Sequence, residues 1–256
     1  MASRAIWKGS IRIGSVDIPV KLHTAVREER IQFHLLHRRD RVKLKQQMIC
    51  AHEQIPVPAE EQTRGSAVEE GKYPRVDPAE LEQADPEASR EIAVREFVKS
   101  EQIDPVFLER VYILEPDGPA NGYHALVAAL AETDVQGICT WTMRKRSYLG
   151  AVQTRGRTLR LNTLRYRDEV IPAQSLKLPK IPLSEKELKI ASDLIAQLSA
   201  PFQPQKFVNE HQKKLQQLID RKARGEKIAI LRPRRLKATT PDKLFQTLAA
   251  SLKKVA

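Results

Sequence analysis

Two cysteines in 256 residues are too few for a disulfide framework, and this scarcity points to a reducing compartment. Cys139 reads as a buried apolar residue. Long hydrophobic runs are missing as well. The longest, Ala125 to Ala131, falls far short of the ~20 residues that a membrane span needs, and the opening Met1-Ala-Ser-Arg-Ala-Ile-Trp-Lys8 contains no apolar signal stretch. The chain is therefore expected inside the cell. Aromatic residues make up only 5% and are not interleaved with the basic clusters, which disfavours binding of single strands by base stacking. Catalytic patterns are missing too: no nucleophile stands beside a base, and no Gly-rich loop has the spacing that cradles a phosphate. The six histidines are scattered, and His34 and His37, three apart on a strand, would fall on opposite faces. Cys50-Ala-His52 is the nearest approach to a ligand pair, but a structural zinc site needs four ligands and no second pair is near. These residues imply no catalytic centre, no metal and no cofactor, ATP included.

What is present in excess is positive charge. The 44 lysines and arginines outnumber the 32 carboxylates for a net charge of +12, and the excess is unevenly placed. Residues 61–118 hold fifteen acidic against seven basic side chains, while 1–60, 119–182 and 183–256 are all basic. That segregation favours a basic face and a separate acidic one, and a polyanion is the partner for the first. The basic groups cluster on expected strands and turns: Arg38, Arg39, Arg41, Lys43 and Lys45 in one stretch, Arg144, Lys145 and Arg146 at a strand end, and Arg155 and Arg157 around a tight turn at Gly156. Strand alternation would put Arg39, Arg41, Lys43 and Lys45 on one face. Such clusters offer charge and forked donors without a base-reading pattern, so duplex binding should ignore sequence and weaken with salt. The competing reading of each cluster is a solvated strand face.

The first two-thirds of the chain reads mainly as strands. Ile11 and Ile13 share a face, as do Ile18, Val20 and Leu22, with Pro19 implying an edge or bulge. Further strands are expected at 31–37, 43–49, 91–98, 110–115, 137–146, 148–154 and 158–166, with one helix at about 120–132. So many strands at regular spacing imply an antiparallel barrel. Residues 52–88, rich in Pro, Glu and Gly, read as surface loops. From residue 184 the pattern becomes helical. Ser184-Glu-Lys-Glu187 is a capping box ahead of an apolar stripe of Leu188, Ala191, Leu194, Ile195 and Leu198. A second helix follows Pro204, with Phe207, His211, Leu215, Leu218 and Ile219 inward, and stops before Gly225. Residues 226–238 are basic and extended. A short final helix starts at Thr240-Pro241 and carries Leu244, Leu248 and Leu252 at four-residue spacing.

Several segments together resemble the bacterial Ku proteins: Arg4-Ala-Ile-Trp-Lys-Gly-Ser-Ile-Arg-Ile-Gly-Ser-Val-Asp-Ile-Pro-Val-Lys-Leu22, Ile31-Gln-Phe-His34, Glu96-Phe-Val98, Ile103-Asp-Pro105, Tyr112-Ile-Leu-Glu-Pro116, Thr163-Leu-Arg-Tyr-Arg-Asp-Glu-Val170, Ser184-Glu-Lys-Glu-Leu188 and Phe202-Gln-Pro204. The resemblance implies a mixed β and α fold. An antiparallel β-barrel core (1–182) carries a strand-rich, DNA-encircling bridge at about 31–75. A helical arm (183–225) serves dimerisation, and a basic linker with a short C-terminal helix (226–256) recruits a ligase. It implies a homodimeric ring that threads double-stranded DNA ends in the bacterial cytoplasm, at the nucleoid. The partner would be the ATP-dependent multifunctional DNA ligase of bacterial end joining, met through Leu244, Leu248 and Leu252. Many relatives have a Cys-x-x-Cys pair in the bridge, where this chain reads Cys50-Ala-His-Glu53. Two alternatives remain from the residues alone. A general nucleoid-associated or RNA-binding protein has the same charge and no need of ends, and a nuclease would need clustered carboxylates for metal ions. The final helix likewise has two readings, a cap on its own barrel or a docking element.

Overall fold

The computed structural model describes residues 4–69, 71–173, 176–177 and 184–226. The chain divides into two compact units, one of residues 1–29 with 34–175 and one of residues 30–33 with 176–256.

The first unit is built on a closed barrel of seven strands. β1 (Trp7–Ile13) and β2 (Val16–Thr24) form a hairpin, in which alternate residues Ile11, Ile18, Val20 and Leu22 are buried. The chain then runs through the stretch expected to form the bridge, which contains the two-residue strands β3 (Arg64–Gly65) and β4 (Arg75–Val76), and through a short helix α1 (Pro78–Ala84). β5 (Glu91–Lys99), β6 (Leu108–Pro116), helix α2 (Asn121–Thr133), β7 (Val135–Met143), β8 (Arg146–Arg155) and β9 (Thr158–Leu164) complete it. Around the barrel the order is β1-β2-β6-β9-β8-β7-β5, and β5 closes onto β1. That closing pair is parallel, with Ile11 opposite Ile92, so the barrel is not wholly antiparallel as expected. The chain can make a parallel neighbour because it crosses over through the bridge and α1 before β5 begins. Pro19 sits where its missing N–H costs nothing: β6 pairs with β2 only from Val20 onward, and the Asp117 N–H donates to the Pro19 carbonyl at 3.0 Å.

The core is one cluster. Trp141 is its hub, stacked on Tyr148 with ring centroids 4.9 Å apart and met edge-on by Trp7 and Tyr112 at 6.0 and 5.8 Å. α2 covers one end of the barrel. Its Tyr123 hydroxyl accepts from the Leu159 N–H at 2.8 Å and donates to the Leu114 carbonyl at 2.7 Å, joining β9 to β6 where their ladder stops. Cys139 is fully buried, and burial pushes its thiol up to about 12.

The bridge departs from the sequence reading. The strands expected at 31–37 and 43–49 reduce to single ladder pairs, Leu36 with Lys43 and Ile49 with Pro56. α1 lies inside the stretch read as loop. Its start is the pattern Asp77-Pro78-Ala-Glu80, with the Asp77 N–H donating to the Glu80 carboxylate at 2.8 Å and proline in the first turn.

The second unit contains α3 (Glu185–Leu198) and α4 (Glu210–Ala223). The Ser184 capping box is present, its Oγ accepting from the Glu187 N–H at 3.2 Å. α4 starts later than expected, at the Asn209 cap, so Phe207 lies outside it, exposed and stacked on Phe202 at 5.8 Å. The final helix expected at 240–252, with Leu244, Leu248 and Leu252, lies outside the described residues.

Candidate nucleic-acid interface

The basic residues singled out in the sequence fall in three places. The first is the tip of a small hairpin in the bridge. The His37 N–H donates to the Val42 carbonyl at 2.8 Å and the Leu44 N–H to Leu35 at 2.9 Å, which leaves 38–41 as the turn. Arg41 there has a φ of +63°, in the left-handed region, and its N–H returns to the His37 carbonyl at 2.8 Å. A turn interrupts side-chain alternation. The expected single face of Arg39, Arg41, Lys43 and Lys45 is therefore corrected: Lys43 and Lys45 lie on the ladder side, while Arg38, Arg39 and Arg41 fan out around the tip. All five are exposed, and none forms an ion pair among the described residues. Asp40, the one carboxylate among them, is engaged by His37 at 2.8 Å. That hydrogen bond, with one from the Val42 N–H, holds its carboxyl below the usual range.

The second and third groups sit at opposite ends of the barrel. Arg144, Lys145 and Arg146 form the turn from β7 into β8, at the end where β2 leaves for the bridge and β5 returns from it. Arg155 and Arg157 flank Gly156, whose φ is +61°, in the turn from β8 into β9 at the end covered by α2. β8 is ten residues long, so the two turns stand about 30 Å apart. That length matches about nine base pairs of duplex at 3.4 Å each.

Part of the acidic segment is engaged by basic side chains of the barrel. Five of its fifteen carboxylates meet basic side chains of the barrel that lie outside the segment: Glu91 pairs with Arg12 at 2.6 Å, Asp117 with Lys21 at 2.7 Å, Asp85 and Glu82 with Lys145 at 2.9 and 3.4 Å, and Glu115 is hydrogen-bonded to the His23 ring at 2.8 Å. The Lys21 ammonium hydrogen-bonds Asp117, which raises the lysine and lowers the aspartate. Lys145 is raised in the same way, by Asp85 first and Glu82 next. Of the basic residues singled out in the sequence, Lys145 alone is held in an ion pair among the described residues; those of the bridge tip, Arg144, Arg146, Arg155 and Arg157 are not. Sequence reasoning missed Arg64 and Arg75, which the pairing of β3 with β4 brings to the root of the bridge beside Arg144 and Arg146. Their signal was faint, because they lie eleven residues apart in the 61–118 stretch, which has more acidic than basic side chains, and Arg75 is itself paired with Asp77.

Among the described residues no group of three or more His, Cys, Asp or Glu side chains is placed to hold a metal ion, and no helix is long and apolar enough to cross a membrane. Cys50 and His52 sit at a second hairpin tip, closed by the Cys50 N–H to the Ile55 carbonyl at 2.9 Å.

Residues 12–190 match the family model described as the Ku70/Ku80 beta-barrel domain. Over its full length the chain is 68% identical to "Non-homologous end joining protein Ku 2" of Geotalea uraniireducens, 256 residues that cover 100% of both proteins. It is 35% identical to "Non-homologous end joining protein Ku" of Solibacter usitatus over 97% of this chain and 92% of that one. The protein of the same name from Anaeromyxobacter sp. strain K is 38% identical over 88% and 77%.

Proposed function

The chain belongs to the Ku family of non-homologous end joining proteins, and from that premise we propose that it binds the ends of double-stranded DNA, without regard to sequence, as a homodimeric ring in double-strand break repair. The observation that carries this reading is the state of the bridge. Its five cations at 38–45 have no ion pair among the described residues, and its apolar side chains Leu35, Val42, Leu44 and Met48 are all more than half exposed. Large apolar side chains left exposed together in one segment favour association, and a second copy of the bridge would cover them while presenting both sets of cations inward. The exposed stripe of Leu188, Ile195 and Leu198 on α3 supports a further role for 183–225 in embracing the partner subunit. A ring neutralises backbone phosphate from several sides and can be entered only by threading, which is why an end is needed.

The protein acts in this reading as a clamp without chemistry of its own and delivers ends to an ATP-dependent DNA ligase, recruited by the 226–256 segment through Leu244, Leu248 and Leu252. Competition decides between this and a nucleoid-type protein. Linear duplex should displace a labelled linear probe far better than covalently closed circular duplex of the same sequence and length. Equal competition would refute the ring.

A further inference from the structure

α1 has no fully buried residue, yet it carries the returning end of the bridge back to the barrel. Ion pairs hold it at both ends. At its start, Arg75 of β4 reaches Asp77 at 2.9 Å. At its other end Glu82 in the last turn and Asp85, the residue that caps it, both meet Lys145. Lys145 is presented by a two-residue turn in which Arg144 and Lys145 have φ values of +52° and +62°. Two successive left-handed residues make the primed hairpin turn that matches strand twist, and non-glycine side chains seldom adopt it. Lys145 and its two carboxylates line a groove of about 1120 Å³ together with Glu60, Glu61, Arg64, Arg75, Arg144 and Arg146.

We propose that this turn is a latch fixing the root of the bridge to the barrel, with Lys145 as its positioning residue and not a contact to DNA. The ammonium already faces two carboxylates, so a phosphate brought to it would meet their repulsion, whereas Arg144 and Arg146 on either side carry no such pair among the described residues. The latch sets the angle at which the bridge leaves the barrel. Its consequence for DNA rests on the end-binding reading above; the latch itself does not.

Amide hydrogen exchange of residues 77–85 in the free full-length protein tests it. Lys145→Glu should speed exchange there about two- to fivefold, the range expected for exposed ion pairs, and so should Glu82→Lys with Asp85→Lys. Lysines at a helix C-terminus favour the helix itself, so faster exchange in the second variant reports the lost latch and not a weaker helix. Combining all three substitutions should restore the original rate. Unchanged exchange in either variant, or no restoration, overturns the proposal. In a second arm, linear duplex is titrated at several salt concentrations: Lys145→Glu should weaken binding at an unchanged salt slope, with recovery in the combined variant. A slope reduced by about 0.9 without recovery would make Lys145 a phosphate contact and overturn the latch. Should the wild-type protein show no preference for ends, the ring reading fails while the exchange rates still decide the latch.

Discussion

The barrel and the bridge are both rich in aliphatic side chains, but they dispose of them in opposite ways. In the barrel, Ile11, Val20, Leu22, Leu159 and Leu161 have no exposed surface, because seven strands close on themselves and α2 seals one end. In the bridge, Leu35, Leu36, Val42, Leu44, Met48 and Ile49 lie between 48% and 68% exposed. Its hairpins hold only one or two ladder pairs each and have no second layer to pack against, and hairpins of that kind are marginal in water. The same residue types thus supply stability in one region and stay exposed in the other, where the proposed ring would use them as its association surface. Cations show a similar contrast: Lys8, Arg12, Lys21 and Lys145 on the barrel are answered by carboxylates of the acidic segment, while those of the bridge tip have no ion pair among the described residues.

The largest expected effect separates the two regions directly. Leu161→Ala, in the middle of the barrel core, should lower the unfolding free energy by about 2–5 kcal/mol at every protein concentration. Leu36→Ala should cost about 0.5 kcal/mol or less within a subunit, and its effect should instead appear as a weaker dimer. Urea unfolding at two protein concentrations a hundredfold apart measures both. If Leu36→Ala were as costly as Leu161→Ala and independent of concentration, the bridge would be part of the subunit's own core and the contrast would collapse.

The next effect concerns charge. Each phosphate contact contributes about 0.9 to the logarithmic salt slope, so at 0.1 M salt the loss of two contacts costs roughly 60-fold in affinity. Arg39→Glu with Arg41→Glu should therefore weaken duplex binding by about that factor or more, equally for all sequences, and flatten the slope by about 1.8, while melting at an unchanged temperature. A folded double mutant with the original slope would show that the bridge tip faces away from DNA. Arg155→Glu with Arg157→Glu gives the barrel's side of the comparison, since those residues stand at the end remote from the bridge.

How much of this could be read from the sequence also follows the division. Barrel strands were legible because alternation is imposed by burial of one face: Ile18, Val20 and Leu22 are buried and the residues between them are not. The closure of β5 onto β1 was not legible, because it joins residues 81 positions apart, such as Ile11 and Ile92, through a parallel pairing that no local pattern encodes. In the bridge, alternation misled. It placed Arg39 and Arg41 on one face with Lys43, but no burial enforces period two there, and the turn at 38–41 breaks it. α1 carried a readable start, Asp77-Pro78-Ala-Glu80, which the surrounding proline and glycine obscured. Charge totals showed an acidic segment but could not show that its carboxylates would be distributed among cations of β1, β2 and the β7–β8 turn.

The smallest effect compares one hydrogen-bonded side chain in each region. The Tyr123 hydroxyl lies where β6 and β9 part, between a donor and an acceptor that both belong to the buried backbone, and burial is the main cause that raises its pKa. Tyr123→Phe keeps the ring in the core but leaves the Leu159 N–H and the Leu114 carbonyl without this partner. An unsatisfied buried polar group costs about 1–3 kcal/mol, so a loss in that range is expected. The bridge counterpart is Asp40, whose carboxylate accepts from the Val42 N–H at 3.0 Å and meets His37 in an exposed turn. Water replaces that partner when Asp40→Ala removes it, and the subunit's stability should change by about 0.5 kcal/mol or less. Urea unfolding of both variants at one protein concentration reads the difference. Equal losses would mean either that water enters the β6–β9 gap when the hydroxyl goes, or that the bridge tip contributes to the stability of the barrel after all; a pressure-dependent measurement separates these, because only a newly hydrated gap changes the volume of unfolding.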